Sequence, residues 1–259
     1  MQTISAVIFV YNSESEIEEC IEAAKLLTED VIVIDQHSTD DTKNLAEKKD
    51  AQVFEFSHYM FVEPAREFGI QKVKSDWFFI LDADERLTKE LAHEIHTSIE
   101  NTSYTHFQIA RKNIFGKVKW LEHGGWWPDY QTRLISKKNF QGWPKQIHSS
   151  PIISGEQGRL TQPFLHYFHG NIAKMVAKTI IFEDIESDLL FKAGKPVTQR
   201  TMFRKFFGEL NRRLIKNLGF LDGSIGIIES IYQAFSKTIT YLYLYEKKNK
   251  LTQEQNSTL

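Results

Sequence analysis

The sequence predicts an α/β fold, a mostly parallel sheet with helices on both faces, followed by a helical C-terminal extension. Three observations carry this. Continuous apolar runs of strand length, ISAVIFV (4–10), VIVID (31–35) and WFFIL (77–81), alternate with stretches of helical period. Their spacing is that of strand–helix–strand units, which close right-handed into a parallel sheet. From residue 171 onward the pattern is helical, broken at Gly194-Lys195-Pro196.

Taken in order, the first strand is bounded by YNSES. Ser13 or Ser15 can cap the helix that follows, whose Ile17, Cys20, Ile21 and Ala24 share one face. VIVID is the second strand, and STDDTKNLAEKK opens the next helix with a capping pattern. AQVFEF (51–56) is a weaker third strand, 63–74 is helical, WFFIL is the fourth strand and TKELAHEIHTSIE (88–100) a capped helix. THFQIARKNIFGKVKW alternates as a hairpin about Gly116, and four of the five tryptophans (Trp120, Trp126, Trp127, Trp143) then crowd into the glycine- and proline-containing middle. Helices are expected over 172–192, 199–218 and 224–246. The domain reading is an α/β domain over 1–170, a basic helical extension over 171–248 and a disordered tail over 249–259.

At 259 residues and 41% apolar, the chain can bury one sizeable core. Its single cysteine, Cys20, excludes an internal disulfide and fits a reducing compartment. No basic n-region with a cleavage site opens the chain, so no signal peptide is expected; no run of 18 apolar residues occurs, so no spanning helix is expected. The net charge of −2 conceals an asymmetry: residues 195–250 carry 11 Lys/Arg against 4 Asp/Glu. Nucleic acid and an anionic membrane surface are the partner classes for such a region, and nucleic acid is set aside. RTMFRKFFGELNRRLIKNLGF (200–220) reads as a basic amphipathic helix suited to lie on an anionic bilayer. A core-packed helix with a solvated charged face, or a homodimer interface, is the alternative. IGIIESIYQAFSKTITYLYLY (225–245) is interrupted by Glu229 and Lys237 and reads as interfacial.

Parallel sheets bind ligands outside the carboxyl ends of their strands. Those ends are Tyr11-Asn12, Asp35 and Asp82-Ala83-Asp84. In an extended stretch Asp82 and Asp84 point the same way. Two hard carboxylates with open positions suit Mg²⁺ or Mn²⁺, which would neutralise a diphosphate. The alternative is an acidic loop capping the next helix, with Glu85 paired to Arg86. Asp35 either meets a polar ligand or caps a helix, a task open to Ser38 and Asp40; Tyr11 either stacks on a base or is packed.

FVYNSESEIEECIEAA, VIVIDQHSTDDT and WFFILDADERL, in that order, resemble the nucleotide-sugar-binding half of family 2 glycosyltransferases with the GT-A fold. GGWWPDYQTRL (124–134), IHS, FLHYFHG and the ending LGFLDGSIGIIESIYQAFSKTITYLYLYEKK resemble the branch that includes lipopolysaccharide-core β-glucosyltransferases. The likeness covers about residues 3–248. It implies an inverting, metal-dependent transfer of a hexose, glucose expected, from a UDP-sugar to a glycan or lipid-linked acceptor in cell-surface polysaccharide or lipopolysaccharide synthesis. The enzyme would be cytoplasmic, peripheral on the inner face of the plasma membrane. Residues 1–170 would bind the nucleotide-sugar and carry catalysis. Tyr11 and Asp35 would contact uracil and ribose, Arg66 would lie near the nucleotide, Asp82 would reach ribose or metal, and Asp84 would ligate Mn²⁺ or Mg²⁺ directly. The chain departs from the family pattern at His37, usually glycine, and at Ser149, often glutamate.

Inversion needs a general base on the face opposite the leaving diphosphate. Asp129 is the first candidate, its alternative role being an ion pair with Arg133; His148 is the second, its alternative an acceptor contact. Trp126 and Trp127, with Arg133, suit a sugar platform, against loop anchoring. His166 and His169 have no cysteine pair nearby, which favours packing or phosphate contact over zinc. Two other functions compete with transfer. A sugar nucleotidyltransferase would need a glycine-rich basic loop where YNSESE is acidic and glycine-free. A catalytically silent peripheral membrane or sugar-binding protein is favoured by the missing glutamate after His148.

Overall fold

The structure, a computed structural model, describes residues 2–147, 149–168 and 172–257. In chain order the elements are β1 (Ile4–Val10), α1 (Ile17–Ala24), β2 (Val31–Asp35), α2 (Thr42–Lys48), β3 (Gln52–Glu55), α3 (Glu63–Lys72), β4 (Trp77–Asp82), β5 (Glu85–Arg86) and α4 (Lys89–Ile99). The middle of the chain adds β6 (Tyr104–Phe115), β7 (Lys119–Trp120), β8 (Asp129–Ser136), β9 (Phe140–Gly142), β10 (Ile152–Ile153), β11 (Glu156–Arg159) and β12 (Phe164–Phe168). Helices α5 (Ile172–Lys192), α6 (Gln199–Leu210) and α7 (Gly223–Ser257) follow. Two compact units result, Met1–Lys112 with Pro128–Tyr167, and Asn113–Trp127 with Phe168–Leu259. The units interleave along the chain where the sequence reading draws a single boundary at residue 170.

In the first unit β3, β2, β1 and β4 run parallel, with Val7 opposite Ile32 and Ile80. Every residue of β1 is buried, which is why its apolar run does not alternate. Ile4, Ala6, Ile8 and Val10 pack with Ile17, Cys20 and Ile21 of α1 and Leu91 and Ile95 of α4, whereas Val7 and Phe9 pack with Ala65 and Ile70 of α3. Both faces are therefore covered. The sheet continues antiparallel: β8 pairs with β4 and β6 with β8, bringing Phe79 and Phe107 to either side of Leu134. The region read from sequence as a hairpin and a tryptophan-rich loop thus completes the sheet. Gly69 lets α3 sit close on β1 and β2; a β-carbon there would lie 2.7 Å from Ile34 Cγ1 and 2.8 Å from the Phe9 ring.

Helix starts match the sequence unevenly. Thr88 caps α4, its hydroxyl accepting the Leu91 amide, as expected. Neither Ser13 nor Ser15 caps α1: the Ser13 carbonyl accepts the Glu16 and Ile17 amides, while the two hydroxyls donate to the Tyr11 carbonyl and Glu16. At α2 the Asp40 carboxylate accepts from the Thr42 amide and hydroxyl.

In the second unit the expected hairpin forms, pairing Ile114 with Trp120. The segment 121–127 is tied to the turn before α7. The Gly124 amide donates to the Asn217 carbonyl at 2.7 Å, and the His123 amide and Nδ1 reach Asp222 at 2.8 and 3.0 Å. Helix α6 ends in a π-turn over Asn211–Lys216, and α7 runs to Ser257, past residue 249 where the reading begins a disordered tail. Glu183 of α5 accepts the hydroxyls of Ser236 and Thr240 of α7. Among the described residues no helix is long and apolar enough to cross a membrane.

Candidate active site

The buried run of β4 delivers Asp82 as its last residue, and the chain then turns through Ala83 and Asp84 into β5. Residues 83 and 84 are a turn, so the side-chain alternation of an extended strand does not carry on from Asp82 to Asp84. Within that turn the Glu85 Oε2 accepts the Asp82 amide at 3.0 Å, and the Asp84 carbonyl accepts the Tyr167 amide at 2.8 Å.

Each oxygen of Asp82 faces a guanidinium. Oδ1 accepts from Arg66 Nη2 at 2.6 Å and Oδ2 from Arg133 Nη2 at 2.9 Å. Arg133 Nη2 also donates to Glu85 Oε1 at 2.5 Å, and Arg111 Nη1 lies 3.4 Å from the same oxygen. Glu85 is fully buried, and these donors are what allow a carboxylate there. Burial opposes the charge of Asp82, but Arg66 and then Arg133 outweigh it and hold its carboxyl well below the usual carboxylate range. Burial likewise opposes the charge of Arg133, and Glu85 and Asp82 overcome it, fixing the guanidinium in its charged form. The Glu85–Arg86 pairing considered from sequence does not form. Arg86 instead donates to the carbonyls of Ala83, Glu85 and Glu16 and to Glu19. Arg66 is clamped between the Phe9 ring at 4.6 Å and the Trp143 ring at 5.5 Å, and its Nε and Nη1 have no hydrogen-bond partner among the described residues.

Asp84 stands differently. Its side chain is 37% exposed, and its Oδ2 lies 3.4 Å from His166 Nε2. The pairing of β12 with β5, which sets His166 opposite Glu85, brings that histidine to the corner. No group of three His, Cys, Asp or Glu suited to a metal occurs among the described residues. Carboxylate oxygen with solvent-open positions suits Mg²⁺ or Mn²⁺ better than zinc.

Asp129 opens β8 directly opposite Arg111 of β6. Arg111 donates to its Oδ2 from Nε at 2.8 Å and Nη2 at 2.7 Å, and Gln131 donates to Oδ1 at 2.7 Å. The Asp129–Arg133 pair considered from sequence is absent because four residues of strand span about 13 Å, a separation that only a helix would close.

At the neighbouring strand ends, Tyr11 is 40% exposed and stacks on His58 with ring centroids 3.8 Å apart. Asp35 is buried and accepts the Ser38 amide and hydroxyl, while the same hydroxyl accepts the Asn12 amide and Asn12 Oδ1 accepts the Thr39 amide. The loops after β1 and β2 are thus knit together. His37 sits in this turn at φ +56°, the left-handed conformation that glycine adopts at least cost. Ser149, where the family often has glutamate, donates its hydroxyl to the Pro144 carbonyl at 2.5 Å; His148 lies outside the described residues.

Trp126 and Trp127 belong to the second unit. The Trp126 ring packs on Phe168 at 4.9 Å with the Arg213 guanidinium 5.1 Å away, and Trp127 meets Trp120 edge-on at 5.4 Å. Sequence reasoning named Glu85 only as a partner for Arg86, and it missed Arg111, His58 and the pairing of His166 with Asp84. Each depends on strand pairing or loop packing, which residue spacing does not encode.

The model of glycosyl transferase family 2 matches residues 5–154. RC0292 of Rickettsia conorii, named an uncharacterized glycosyltransferase, is 26% identical over 268 residues, covering 96% of this chain and 92% of the relative. LpsC of Rhizobium meliloti, named a lipopolysaccharide core biosynthesis glycosyltransferase, is 23% identical over 257 residues, covering 94% and 92%. Among solved structures, S. aureus TarS 1–349 in complex with UDP has a TM-score of 0.50 at 12% identity, covering 96% of this chain and 92% of that one. The mannosyltransferase PcManGT of Pyrobaculum calidifontis, in complex with GDP-Man and Mn²⁺, has a TM-score of 0.50 at 11% identity, covering 91% and 74%. At these identities the solved structures speak for the fold, GT-A. With more than half its length matched by the family model, the chain belongs to glycosyl transferase family 2 and is a glycosyltransferase.

Proposed function

We propose that the chain transfers a hexose, with glucose the expected one, from a UDP-sugar to a glycan or lipid-linked acceptor with inversion, in cell-surface polysaccharide or lipopolysaccharide synthesis. The observation that carries this is the composition of one corner: Asp82 and Glu85 meet Arg66 and Arg133, and Asp84 stands beside His166, at the carboxyl end of β4, where open α/β sheets take their ligands. The relatives and structural neighbours support it, with UDP on TarS, GDP-Man and Mn²⁺ on PcManGT, and lipopolysaccharide core in the name of LpsC.

Asp84, beside His166, is the residue that would hold Mg²⁺ or Mn²⁺, the remaining positions falling to donor oxygens and water. When bound, the ion supplies neutralisation of the departing diphosphate. Asp82, already engaged by two arginines, serves the ribose and fixes the corner, and Arg66 supports the nucleotide. Tyr11 and Asp35 receive the uracil and ribose. Asp129, oriented by Arg111 and Gln131, takes the acceptor hydroxyl's proton, with His148 as the second candidate. The site of action on this reading is the cytoplasmic side of the membrane, where lipid-linked acceptors stand.

The test is UDP release by purified protein given UDP-glucose, Mn²⁺ and lipopolysaccharide-core acceptor. The parent releases UDP and Asp84→Ala does not; Asp129→Asn keeps UDP affinity and loses roughly 10²- to 10⁴-fold in kcat. No release by the parent with any UDP-hexose would favour a silent sugar-binding protein instead.

A further inference from the structure

Helices α6 and α7 leave an apolar surface uncovered. Phe203, Phe207, Ile227, Ile231, Phe235 and Leu242 are each between 40% and 67% exposed. On α7 the last four recur with Thr238 at steps of four, four, three and four, which is one stripe of a helix. Thr238 and Leu242 also line a cleft of ≈ 410 Å³ with Phe203, Phe206 and Phe207 of α6, so the stripe and the phenylalanines form one continuous face.

Charge identifies what covers it. Arg200 and Arg204 lie one helical turn apart, adjacent to Phe203 and Phe207, and with Lys216 they are exposed and pair with no carboxylate among the described residues. The acidic residues of this region do not offset them. Glu209 is bound by Arg212 and Arg213 at 2.5 and 2.7 Å, Asp222 by His123, Glu246 by Lys250 at 2.6 Å, and Glu229 is buried. The surface is therefore aromatic and cationic together. A second copy of the chain meeting it about a two-fold axis would bring the same cationic patch to both sides of the contact. An anionic bilayer accepts both parts, rings in the headgroup region and guanidiniums at the phosphates.

We infer that the face of α6 and α7 bearing Phe203, Phe207 and the Ile231–Phe235–Leu242 stripe docks on an anionic lipid bilayer through these apolar side chains, with Arg200 and Arg204 on lipid phosphates. The surface lies wholly within the second unit, and its test uses neither donor nor acceptor, so it stands apart from the transfer reading.

The experiment is co-sedimentation of the full chain with phosphatidylcholine vesicles, with and without phosphatidylglycerol, alongside light scattering of the protein alone. The parent sediments with the anionic vesicles, stays in solution with the neutral ones, and is released by salt. Arg200→Gln/Arg204→Gln, which alters only exposed charge, weakens the anionic partitioning about 30-fold. Phe203→Ser/Phe207→Ser, with an unchanged circular dichroism spectrum, abolishes it. Equal binding to both vesicle types, no binding to either, or undiminished binding by the arginine variant overturns the inference. So does a parent dimer that Phe203→Ser/Phe207→Ser converts to monomer, which would assign the face to a second copy.

Discussion

Replacing Arg133 by methionine tests the charge cluster at the end of β4 most severely. The change keeps the buried stem and removes a guanidinium that serves Asp82 at 2.9 Å and Glu85 at 2.5 Å. Asp82 retains Arg66 at 2.6 Å, but Glu85, fully buried, is left with Arg111 at 3.4 Å and one backbone amide. Breaking a buried pair from one side costs about 3–5 kcal/mol, because a buried charge loses its compensation. The upper half of that range applies here, since one guanidinium holds two carboxylates. The pH dependence has a definite sign. The folded Asp82 carboxyl titrates below its unfolded value, so its stabilisation is present above about pH 4 and is lost as pH falls through the depressed folded value. Without Arg133 that depression is smaller, so parent and variant converge on acidification. Urea midpoints followed by circular dichroism, near neutral pH and below about pH 4, measure both effects. A neutral-pH loss under about 1 kcal/mol, or a gap that widens in acid, would refute the view that Arg133 holds this corner together.

Other expectations follow from single positions. His37→Gly relieves a left-handed residue and gains about 1 kcal/mol, seen as a rise in Tm of about 2–4 °C; a fall would mean that the His37 side chain contributes to the loop. Gly69→Ala forces a methyl against Ile34 and Phe9, and the overpacking outweighs the gain in helix propensity by about 1–2 kcal/mol in thermal unfolding. An unchanged Tm would show that α3 can move off the sheet. Asp129→Asn, assayed for UDP release, leaves UDP binding intact while kcat falls, and a rise in the Kd for UDP alone would place Asp129 with the donor rather than the acceptor.

Much of the fold was legible because it rests on short-range pattern. Runs such as ISAVIFV have one stable use, a strand buried on both faces, and Thr88 and the 172–192 periodicity mark helices without help from the rest of the chain. The antiparallel extension was harder to read. Asp129 and Arg111 are 18 positions apart and meet only because β8 and β6 pair in one register, which residue spacing does not encode. The acidic motif was legible as a location but not as a geometry. An alternating strand was expected over residues 82–84, whereas Glu85 folds back onto the Asp82 amide and makes a turn that separates the two aspartates in role. Asp82 faces arginines and Asp84 faces His166 and solvent, a division set by residues as distant in sequence as 66, 133 and 166. The departure at His37 marked a position of unusual backbone, and its positive φ explains why glycine is usual there.

In the proposed site Asp84 couples a divalent ion to a uridine diphosphate. Thermal unfolding of the parent and of Asp84→Ala, with UDP in the presence and absence of Mn²⁺, measures that coupling directly. The expected result is a shift of several degrees in the parent that requires UDP and Mn²⁺ together, equivalent to about 2.7 kcal/mol near a hundredfold excess over Kd, and its disappearance in Asp84→Ala. An equal shift without the metal, or one that survives loss of the Asp84 carboxylate, would contradict it.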